Sequence, residues 1–321
     1  MRILVAEPVA EAALALLRER HDVDVRLGLP RGEFLARLPD YEALVVRSQV
    51  KVDAEAIAAG SRLIVVGRAG VGVDNVDVDA ATQAGIVVVN APTGNTVAAA
   101  EHTLALLFAL ARHVAAADAS VRRGEWKRSA FGGVELTGRT LGIIGLGRIG
   151  TAIADRARGL GMHVIGYDPY VTAEAAGAHG IELRPLDDVL AEADVVTLHV
   201  PGTGDTRGLI DADRLARMKP TAFLLNVSRG SVVDEAALAA ALRDARLGGA
   251  ALDVYQAEPP TSSPILDAPN TVLTPHLGAS TAEAQVRVGV EAAEQVVEVL
   301  ERRMPRYAVN RPSNPRAQRP G

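Results

Sequence analysis

The sequence contains no cysteine, few aromatic residues and no long hydrophobic run. Without cysteine the chain forms no disulfide and offers no thiol for catalysis or metal binding. Aromatic residues make up 3% and hydrophobic residues 48%, so we expect a core of Ala, Val and Leu. No apolar stretch reaches the roughly 18 residues of a membrane span, and the segment up to Glu7 lacks the apolar core of a signal peptide. These absences predict a cytoplasmic protein.

The chain also lacks an excess of basic residues. Its 34 Lys and Arg residues and 39 Asp and Glu residues give a net charge of −5 and a pI near 5.8. A nucleic-acid-binding domain is expected to be basic, so we predict a small-molecule substrate and neither a nucleic acid nor a membrane as partner. No metal site is predicted. With 321 residues, the chain exceeds the usual size of one hydrophobic core, which predicts two domains.

Short apolar runs typical of β-strands alternate with helical segments along most of the chain. The first predicted strands lie at residues 3–5, 23–25, 43–46, 64–66 and 87–89, with a helix at 11–19. A second series has strands at 195–198, 222–226, 249–253 and 272–274. This alternation is typical of parallel sheets covered by helices, so we predict an α/β fold.

Two longer helices and a tail complete the predicted organisation. A continuous Ala- and Leu-rich helix is expected from Val97 to about Val121, as a connector between domains. A second helix, at residues 281–303, either packs within the second domain or returns to the first, ending in residues 307–310. Residues 311–321 contain three prolines, three arginines and no apolar periodicity, which predicts a disordered tail.

A G-x-G-x-x-G turn at Gly145, Gly147 and Gly150 is the most informative motif. It follows an apolar strand, precedes a helix predicted at residues 151–159, and is followed after a second strand by Asp168. Strand, turn, helix and acid together are the context of a dinucleotide site, with the pyrophosphate at the helix N-terminus. Asp168 is suited to the hydroxyls of an adenosine ribose and would repel a 2′-phosphate, which favours NAD over NADP.

Another glycine-rich segment, residues 67–72, has a different spacing and opens no clear helix. Two interpretations remain open for it. It is either a loop where the backbone approaches a ligand or a plain turn.

Three polar residues follow predicted strands of the second series. Arg229, Glu258 and His276 could converge at the carboxyl edge of the sheet. Histidine can exchange a proton near neutral pH, a carboxylate can hold and charge it, and an arginine can bind a substrate carboxylate at two points. Taken singly, they are also consistent with a surface cation, a solvated turn and a structural histidine.

With these residues the chain resembles the D-2-hydroxyacid dehydrogenases, and most strongly the branch that acts on 3-phosphoglycerate. The resemblance spans about residues 1–310. It is carried by Trp126 and by the segments 45–48, 66–77, 90–96, 141–150, 226–230, 258–260 and 275–280.

The resemblance implies two Rossmann-like parallel-sheet domains, the cofactor domain inserted into the substrate domain. We expect the substrate-binding domain at residues 1–97 and 285–310 and the NAD-binding domain at 98–284. It implies His276 as acid and base, Glu258 as its partner and Arg229 as the substrate clamp. Implied cofactor contacts are Gly145, Gly147, Arg148, Ile149, Gly150, Asp168, Pro201, Thr206, Val227, Asp253 and His276.

Implied substrate contacts are Arg47, Ser48, Arg68, Ala69, Gly70, Asn95 and, from a neighbouring subunit, Arg128. Assembly as a homodimer or homotetramer is expected. The preferred reaction is NAD-dependent oxidation of D-3-phosphoglycerate to 3-phosphohydroxypyruvate, a step towards serine. Alternatives are reduction of glyoxylate, hydroxypyruvate or another short 2-keto acid, and an NADH-sensing corepressor-type binding protein. Because the sequence stops soon after Asn310, no regulatory domain with serine feedback is expected.

Overall fold

The computed structural model describes residues 1–316. The strands are β1 (Arg2–Val5), β2 (Asp22–Val25), β3 (Ala43–Val46), β4 (Val65–Arg68), β5 (Val87–Asn90), β6 (Thr140–Ile144), β7 (His163–Tyr167), β8 (Glu182–Leu183), β9 (Val195–Leu198), β10 (Phe223–Asn226), β11 (Gly249–Leu252) and β12 (Thr271–Leu273). The α-helices are α1 (Glu11–Arg18), α2 (Arg31–Arg37), α3 (Ala54–Ala59), α4 (Val78–Gln83), α5 (Thr96–Ala111), α6 (Val114–Arg122), α7 (Arg148–Gly159), α8 (Ala173–Ala178), α9 (Leu186–Glu192), α10 (Ala212–Arg217), α11 (Glu235–Arg243) and α12 (Ala282–Leu300).

These elements form two compact units. Unit 1 contains Met1–Asn95 and the chain from Ser280 onward, and unit 2 contains Thr96–Ala279. Each unit has one parallel sheet, so the α/β fold with two parallel-sheet domains is confirmed.

The sheet of unit 1 has the strand order β2-β1-β3-β4-β5, with every pair parallel. Side chains alternate between its two faces, so Leu4 and Leu44 enter one core while Ile3 and Val45 enter the other. Burial on both faces explains why β1 and β3 are apolar in sequence except for Arg2.

Helix α12 packs on the sheet of unit 1, as in the second of the two interpretations given above. A Cβ added to Gly67 on β4 would lie 2.4 Å from Val296 on α12, so the glycine permits the close approach of α12 to β4. After α12 the chain reaches β5, where the Val309 backbone N–H donates to the Val88 carbonyl at 2.8 Å. Arg316, within the segment expected to be disordered, donates to the carbonyls of residues 60, 61, 63 and 84. The rest of that segment, residues 317–321, lies outside the described residues.

The sheet of unit 2 has the order β12-β11-β10-β9-β6-β7-β8 and is also parallel throughout. One face carries a core around Leu198 and Leu224. The other carries a core that α5 and α7 cover with Leu107 and Ile153. Helix α7 begins at Arg148, three residues before the predicted start, because it continues directly from the glycine turn.

The prediction of one helix from Val97 to Val121 was wrong. The segment forms α5 and α6, separated at His113, whose backbone φ of 53° is left-handed and cannot continue a helix. Over residues 1–316, no single helix is long and apolar enough to cross a membrane. The pair α5 and α6 passes such a test together, but the two helices are bent by 63°. Half of the residues of α5 are buried.

Candidate active site

The candidate residues of unit 2 lie at the carboxyl ends of its strands. From β6 the chain passes first to β7 and β8 on one side of the sheet, and then to β9 through β12 on the other. The strand order therefore reverses between β6 and β9. In open parallel sheets, ligands bind in the crevice at this reversal, outside the carboxyl ends of the strands.

The glycine turn lies at this reversal. Gly145 has a φ of 95°, and an added Cβ would lie 2.4 Å from the carbonyl oxygen of His199, which follows β9. A Cβ on Gly150 would lie 2.2 Å from the Gly145 carbonyl oxygen. Both positions therefore exclude a side chain, and the turn is tight.

Gly147 differs from its two neighbours in the motif. It is the N-cap of α7, and an added Cβ would meet no described atom within 4 Å. Arg148 and Ile149 form the first turn of α7, and the Ile149 side chain packs towards the core. Open space beside a backbone at a helix N-terminus suits an anionic group such as a pyrophosphate.

Asp168 follows β7, next to the turn. Its Oδ2 accepts the backbone N–H of Leu146 at 2.9 Å, and its Oδ1 accepts that of Tyr170 at 2.9 Å. Each carboxylate oxygen retains a further lone pair for a ribose hydroxyl. The turn, the open helix N-terminus and the adjacent acid thus fit a dinucleotide with a free ribose 2′-hydroxyl.

The segment after β9 contains two further predicted cofactor contacts. The Thr206 hydroxyl donates to the Pro201 carbonyl and accepts the Thr203 N–H at 2.9 Å, so the three residues form one turn. Before this turn lies His199, whose pKa burial lowers to about 3. His199 is therefore neutral at physiological pH, with its Nε2 2.8 Å from the Thr197 hydroxyl.

Arg229 lies in the turn after β10, which the buried Asn226 shapes. The Asn226 side chain donates to the Arg229 carbonyl at 2.9 Å and accepts from the Ser228 N–H at 3.1 Å and hydroxyl at 2.8 Å. Val227 is also buried, and a Cβ on Gly278 would lie 3.2 Å from it. The Arg229 guanidinium donates to the Ser228 carbonyl at 2.7 Å.

His276 and Glu258 form a hydrogen-bonded pair. Nδ1 of His276 lies 2.8 Å from Oε2 of Glu258, and Oε1 of Glu258 accepts the Tyr255 N–H at 3.2 Å. A carboxylate only accepts, so the proton on this bond belongs to Nδ1. That arrangement leaves Nε2 of His276 to exchange a proton with a substrate, and both side chains remain partly exposed.

The hydrogen bond between the two residues favours the charged form of each. The hydrogen bond from His276 to Glu258 raises the pKa of the imidazole above its usual value, against burial and the nearby Arg229 cation, which both lower it. Burial raises the pKa of Glu258, but the hydrogen bond and charge of His276 outweigh this and lower it overall. A histidine whose pKa is raised from 6.5 is poised to deliver a proton at neutral pH.

Asp253 is one of the implied cofactor contacts, and that role remains a prediction. In the structure its side chain is buried, with 1% of the residue exposed. It accepts the backbone N–H groups of Leu277 at 2.7 Å and Gly278 at 2.8 Å. Its position beneath the turn that carries His276 was not predicted from the sequence.

The predicted substrate residues, except Arg128, lie in unit 1. Arg47 and Ser48 follow β3 in a turn organised by the buried Glu7, whose carboxylate accepts the backbone N–H groups of Arg47, Gln49 and Val50 at 2.7–3.1 Å. Arg47 is half-buried and Ser48 is exposed.

The glycine-rich segment after β4 holds three more predicted substrate residues. Gly70 has a φ of 154°, and an added Cβ would meet the Arg68 guanidinium, which folds over it. Ala69 is buried, and Asn95 is the last residue of unit 1 before α5. Arg128 begins a short 3₁₀ helix in unit 2, close in sequence to Trp126, which is 80% exposed.

Four residues of unit 2 shape the site without having been predicted for it: His102, Asn226, Gly230 and Thr274. Asn226 and Gly230 lie in the segment 226–230, which carries the resemblance, but no role was predicted for them. His102 and Thr274 lie outside these motifs, and His102 reaches Asp253 and Thr274 only in the folded chain.

Comparison with known proteins identifies the family. Residues 104–278, more than half of the chain and all within unit 2, match the domain described as "D-isomer specific 2-hydroxyacid dehydrogenase, NAD binding domain". The chain belongs to the D-isomer specific 2-hydroxyacid dehydrogenase family. Unit 2 is therefore its NAD-binding domain, and NAD is the cofactor for which the glycine turn and Asp168 are suited.

Individual relatives extend the match to both units. A D-3-phosphoglycerate dehydrogenase of Archaeoglobus fulgidus is 50% identical over 98% of this chain and 60% of its own length. The chain thus spans about three-fifths of that relative. The crystal structure of the TT0316 protein of Thermus thermophilus has a TM-score of 0.87 and 40% identity over 97% of this chain and 100% of its own. A glyoxylate reductase from Paecilomyes thermophila has a TM-score of 0.88 and 29% identity over 96% and 98% of the two chains.

Proposed function

We propose that the protein is an NAD-dependent D-2-hydroxyacid dehydrogenase that oxidises D-3-phosphoglycerate to 3-phosphohydroxypyruvate. The observation that carries the proposal is the 2.8 Å contact between His276 Nδ1 and Glu258 Oε2 at the carboxyl edge of an NAD-binding domain. Identity of 50% to a D-3-phosphoglycerate dehydrogenase supports this substrate over shorter hydroxy acids.

Three side chains of unit 2 perform the proton and binding steps. When bound, the nicotinamide exchanges a hydride with C2 of the substrate. Glu258 holds the Nδ1 proton of His276, so Nε2 takes the hydroxyl proton during oxidation and returns it during reduction. Arg229 offers a planar guanidinium that binds a carboxylate at two points and counters charge on the substrate oxygen.

The phosphate of the substrate requires cations beyond Arg229. The proposal assigns this role to Arg47 and Arg68, and to Arg128 from a neighbouring subunit, with Ser48, Ala69, Gly70 and Asn95 as further substrate contacts. Pro201, Thr206, Val227 and Asp253 are assigned to the cofactor. A homodimer or homotetramer in the cytoplasm, acting in serine biosynthesis, completes the proposal.

The direct test compares substrates with the purified protein. Consumption of NADH is followed with 3-phosphohydroxypyruvate, hydroxypyruvate and glyoxylate at matched concentrations, and with NADPH in parallel. We expect kcat/KM for the phosphorylated keto acid to exceed that for glyoxylate about 100-fold, a difference of about 2.7 kcal/mol. NADPH should be the poorer cofactor, because Asp168 would repel its 2′-phosphate.

Other results of this comparison would overturn the proposal in distinct ways. Equal or higher rates with glyoxylate would indicate a general short-chain keto acid reductase. Tight NADH binding without turnover of any of the three would indicate a nicotinamide-sensing protein instead.

The pH profile should depend on Glu258. Replacing Glu258 with Gln removes the charge that raises the His276 pKa. Keto acid reduction needs protonated His276, so its rate falls as pH rises through this pKa, and in the variant the fall should occur at lower pH. Oxidation needs neutral His276, so the rise of the oxidation rate with pH should also occur at lower pH in the variant. The measurement is log kcat against pH for reduction and for oxidation. Profiles that do not shift in the variant would contradict the assigned pair.

A further inference from the structure

The carboxylate of Asp253 is bonded almost entirely to the segment that carries His276. Besides the backbone N–H groups of Leu277 and Gly278, it accepts the Thr274 hydroxyl at 2.6 Å. The Asp253 backbone carbonyl also accepts the His276 N–H at 2.9 Å. One buried residue thus holds the turn on both sides of His276.

A second histidine, His102 on α5, lies behind this carboxylate. Its Nε2 is 3.2 Å from Asp253 Oδ1 and 3.2 Å from the Thr274 hydroxyl oxygen. The carboxylate only accepts, and the Thr274 proton is already donated to it, so both oxygens facing Nε2 are acceptors. Nε2 of His102 must therefore carry a proton and donate it to this pair.

The hydrogen bond from His102 affects the charge state of Asp253. Burial of Asp253 raises the pKa of its carboxyl, but the hydrogen bonds from His102 and Thr274, followed by that from Leu277, outweigh burial and lower it. Asp253 therefore remains an anion at neutral pH although it is buried, and an anion accepts stronger hydrogen bonds from the turn than a neutral acid would.

The turn requires these hydrogen bonds to Asp253, because His276 has an unfavourable backbone conformation. Its φ of 57° is in the left-handed region, which costs a non-glycine residue free energy and persists only where the surroundings impose it. The contacts that impose it here are those from Asp253 to the residues on either side. Released from them, the backbone would relax and the imidazole would move away from Glu258.

We infer that His102 is a positioning residue for the reaction: its Nε2 proton fixes the Asp253 carboxylate, which holds the turn and thereby aligns His276 with Glu258. The inference rests on the proposed function for the meaning of that alignment. His102 contacts Asp253 and Thr274, and it acts on His276 through these two residues.

Two substitutions of similar size separate positioning from simple packing. His102→Gln places an amide N–H close to where Nε2 lies, whereas His102→Met fills the space without a donor. We expect His102→Met to lower kcat for 3-phosphohydroxypyruvate about 10- to 100-fold with little change in substrate KM. His102→Gln should stay within about threefold of the unmodified protein.

A second readout does not depend on turnover. In the unmodified protein and both variants, the His276 imidazole is titrated by NMR, its signal identified by its loss in His276→Gln. With a loosened contact to Glu258, the His276 pKa should fall in His102→Met and be retained in His102→Gln. If none of the three keto acids is turned over, the proposed function fails, while this titration still tests the alignment.

Several results would overturn the inference. One is an unchanged kcat and His276 pKa in His102→Met. Another is an equal loss in both variants, which would indicate that ring packing matters and the donated proton does not. If His102→Met is unfolded at the assay temperature, Thr274→Val removes the neighbouring donor and should shift kcat and the His276 pKa in the same direction. No shift in that variant would likewise overturn it.

Discussion

Replacing His276 with alanine is expected to lower kcat for 3-phosphohydroxypyruvate reduction about a thousandfold, within the range of about 10²–10⁴ that general acid catalysis supplies. The reason is that Nε2 of His276 is the group assigned to deliver the proton, and its partner Glu258 has a lowered pKa and therefore holds no proton at neutral pH. Steady-state kinetics give kcat, and calorimetric titration gives the affinity for NADH, which should change less than about threefold.

The matched control for this variant is His163→Ala. His163 is the exposed first residue of β7, at the amino end of a strand in the same unit, so its loss should leave kcat and NADH affinity unchanged. An equal loss of NADH affinity in His276→Ala would show that the residue serves cofactor binding. A kcat within about tenfold of the unmodified protein would remove it from the proton transfer.

Much of the fold is predictable because its strands are buried on both faces. The predicted strands at residues 43–46 and 195–198 match β3 and β9, whose residues are all buried, so their sequences are apolar except for Thr197. The two-residue strand β8 was missed, since Glu182 is exposed and the run is too short to show a pattern.

The break between α5 and α6 shows what local sequence does not contain. The residues at the break, Arg112 and His113, include neither Gly nor Pro, so no local signal interrupts the helical pattern. The carbonyl of Ala111, at the end of α5, accepts the Val134 N–H at 3.0 Å instead of an N–H of its own helix. A distant segment thus ends this helix, and its effect is not visible in a helical window.

The candidate site also contains features that local sequence predicts and features that it does not. The glycine turn and Asp168 are predictable because their spacing reflects one local strand-turn-helix unit. The pairing of His276 with Glu258 joins residues 18 apart with β12 between them. The strand ends left this pairing open, and the resemblance to a family predicted it. His102 and Asp253 are 151 residues apart, and neither has a neighbouring motif that indicates the contact.

Gly230 illustrates how tightly the turn after β10 and the loop after β11 are packed. A Cβ at this position would lie 1.9 Å from both the carbonyl carbon and the carbonyl oxygen of Tyr255, and 2.6 Å from the Gln256 nitrogen. These are backbone atoms, so no side chain can rotate to make room. The turn after β10 and the loop after β11 can approach this closely only because residue 230 is glycine.

Displacing Tyr255 would disturb both Glu258 and the segment that carries His276. Its backbone N–H donates to Glu258 at 3.2 Å, and its buried hydroxyl donates to the Thr274 carbonyl at 3.0 Å, two residues before His276. Arg229 precedes Gly230 directly. A shift at this contact therefore reaches all three residues assigned to catalysis.

Replacing Gly230 with alanine should consequently destabilise unit 2 by about 3 kcal/mol, near the upper end of the usual cost of overpacking. For a unit of this size, that corresponds to a fall in the apparent Tm of about 6–12 °C, measured by calorimetry or circular dichroism. We expect kcat to fall at least about tenfold at temperatures where the variant is folded, because the reacting groups are displaced.

Gly177→Ala is the matched control, because this glycine lies in helix α8 of the same unit and an added Cβ would meet no described atom within 4 Å. Alanine there should raise stability by up to about 1 kcal/mol through its better helix propensity. The two variants add the same methyl group, so opposite signs of the Tm change would isolate the packing of Gly230 against Tyr255. If the two variants have the same Tm and the same kcat, the close approach of the turn after β10 to the loop after β11 is not what requires glycine at residue 230.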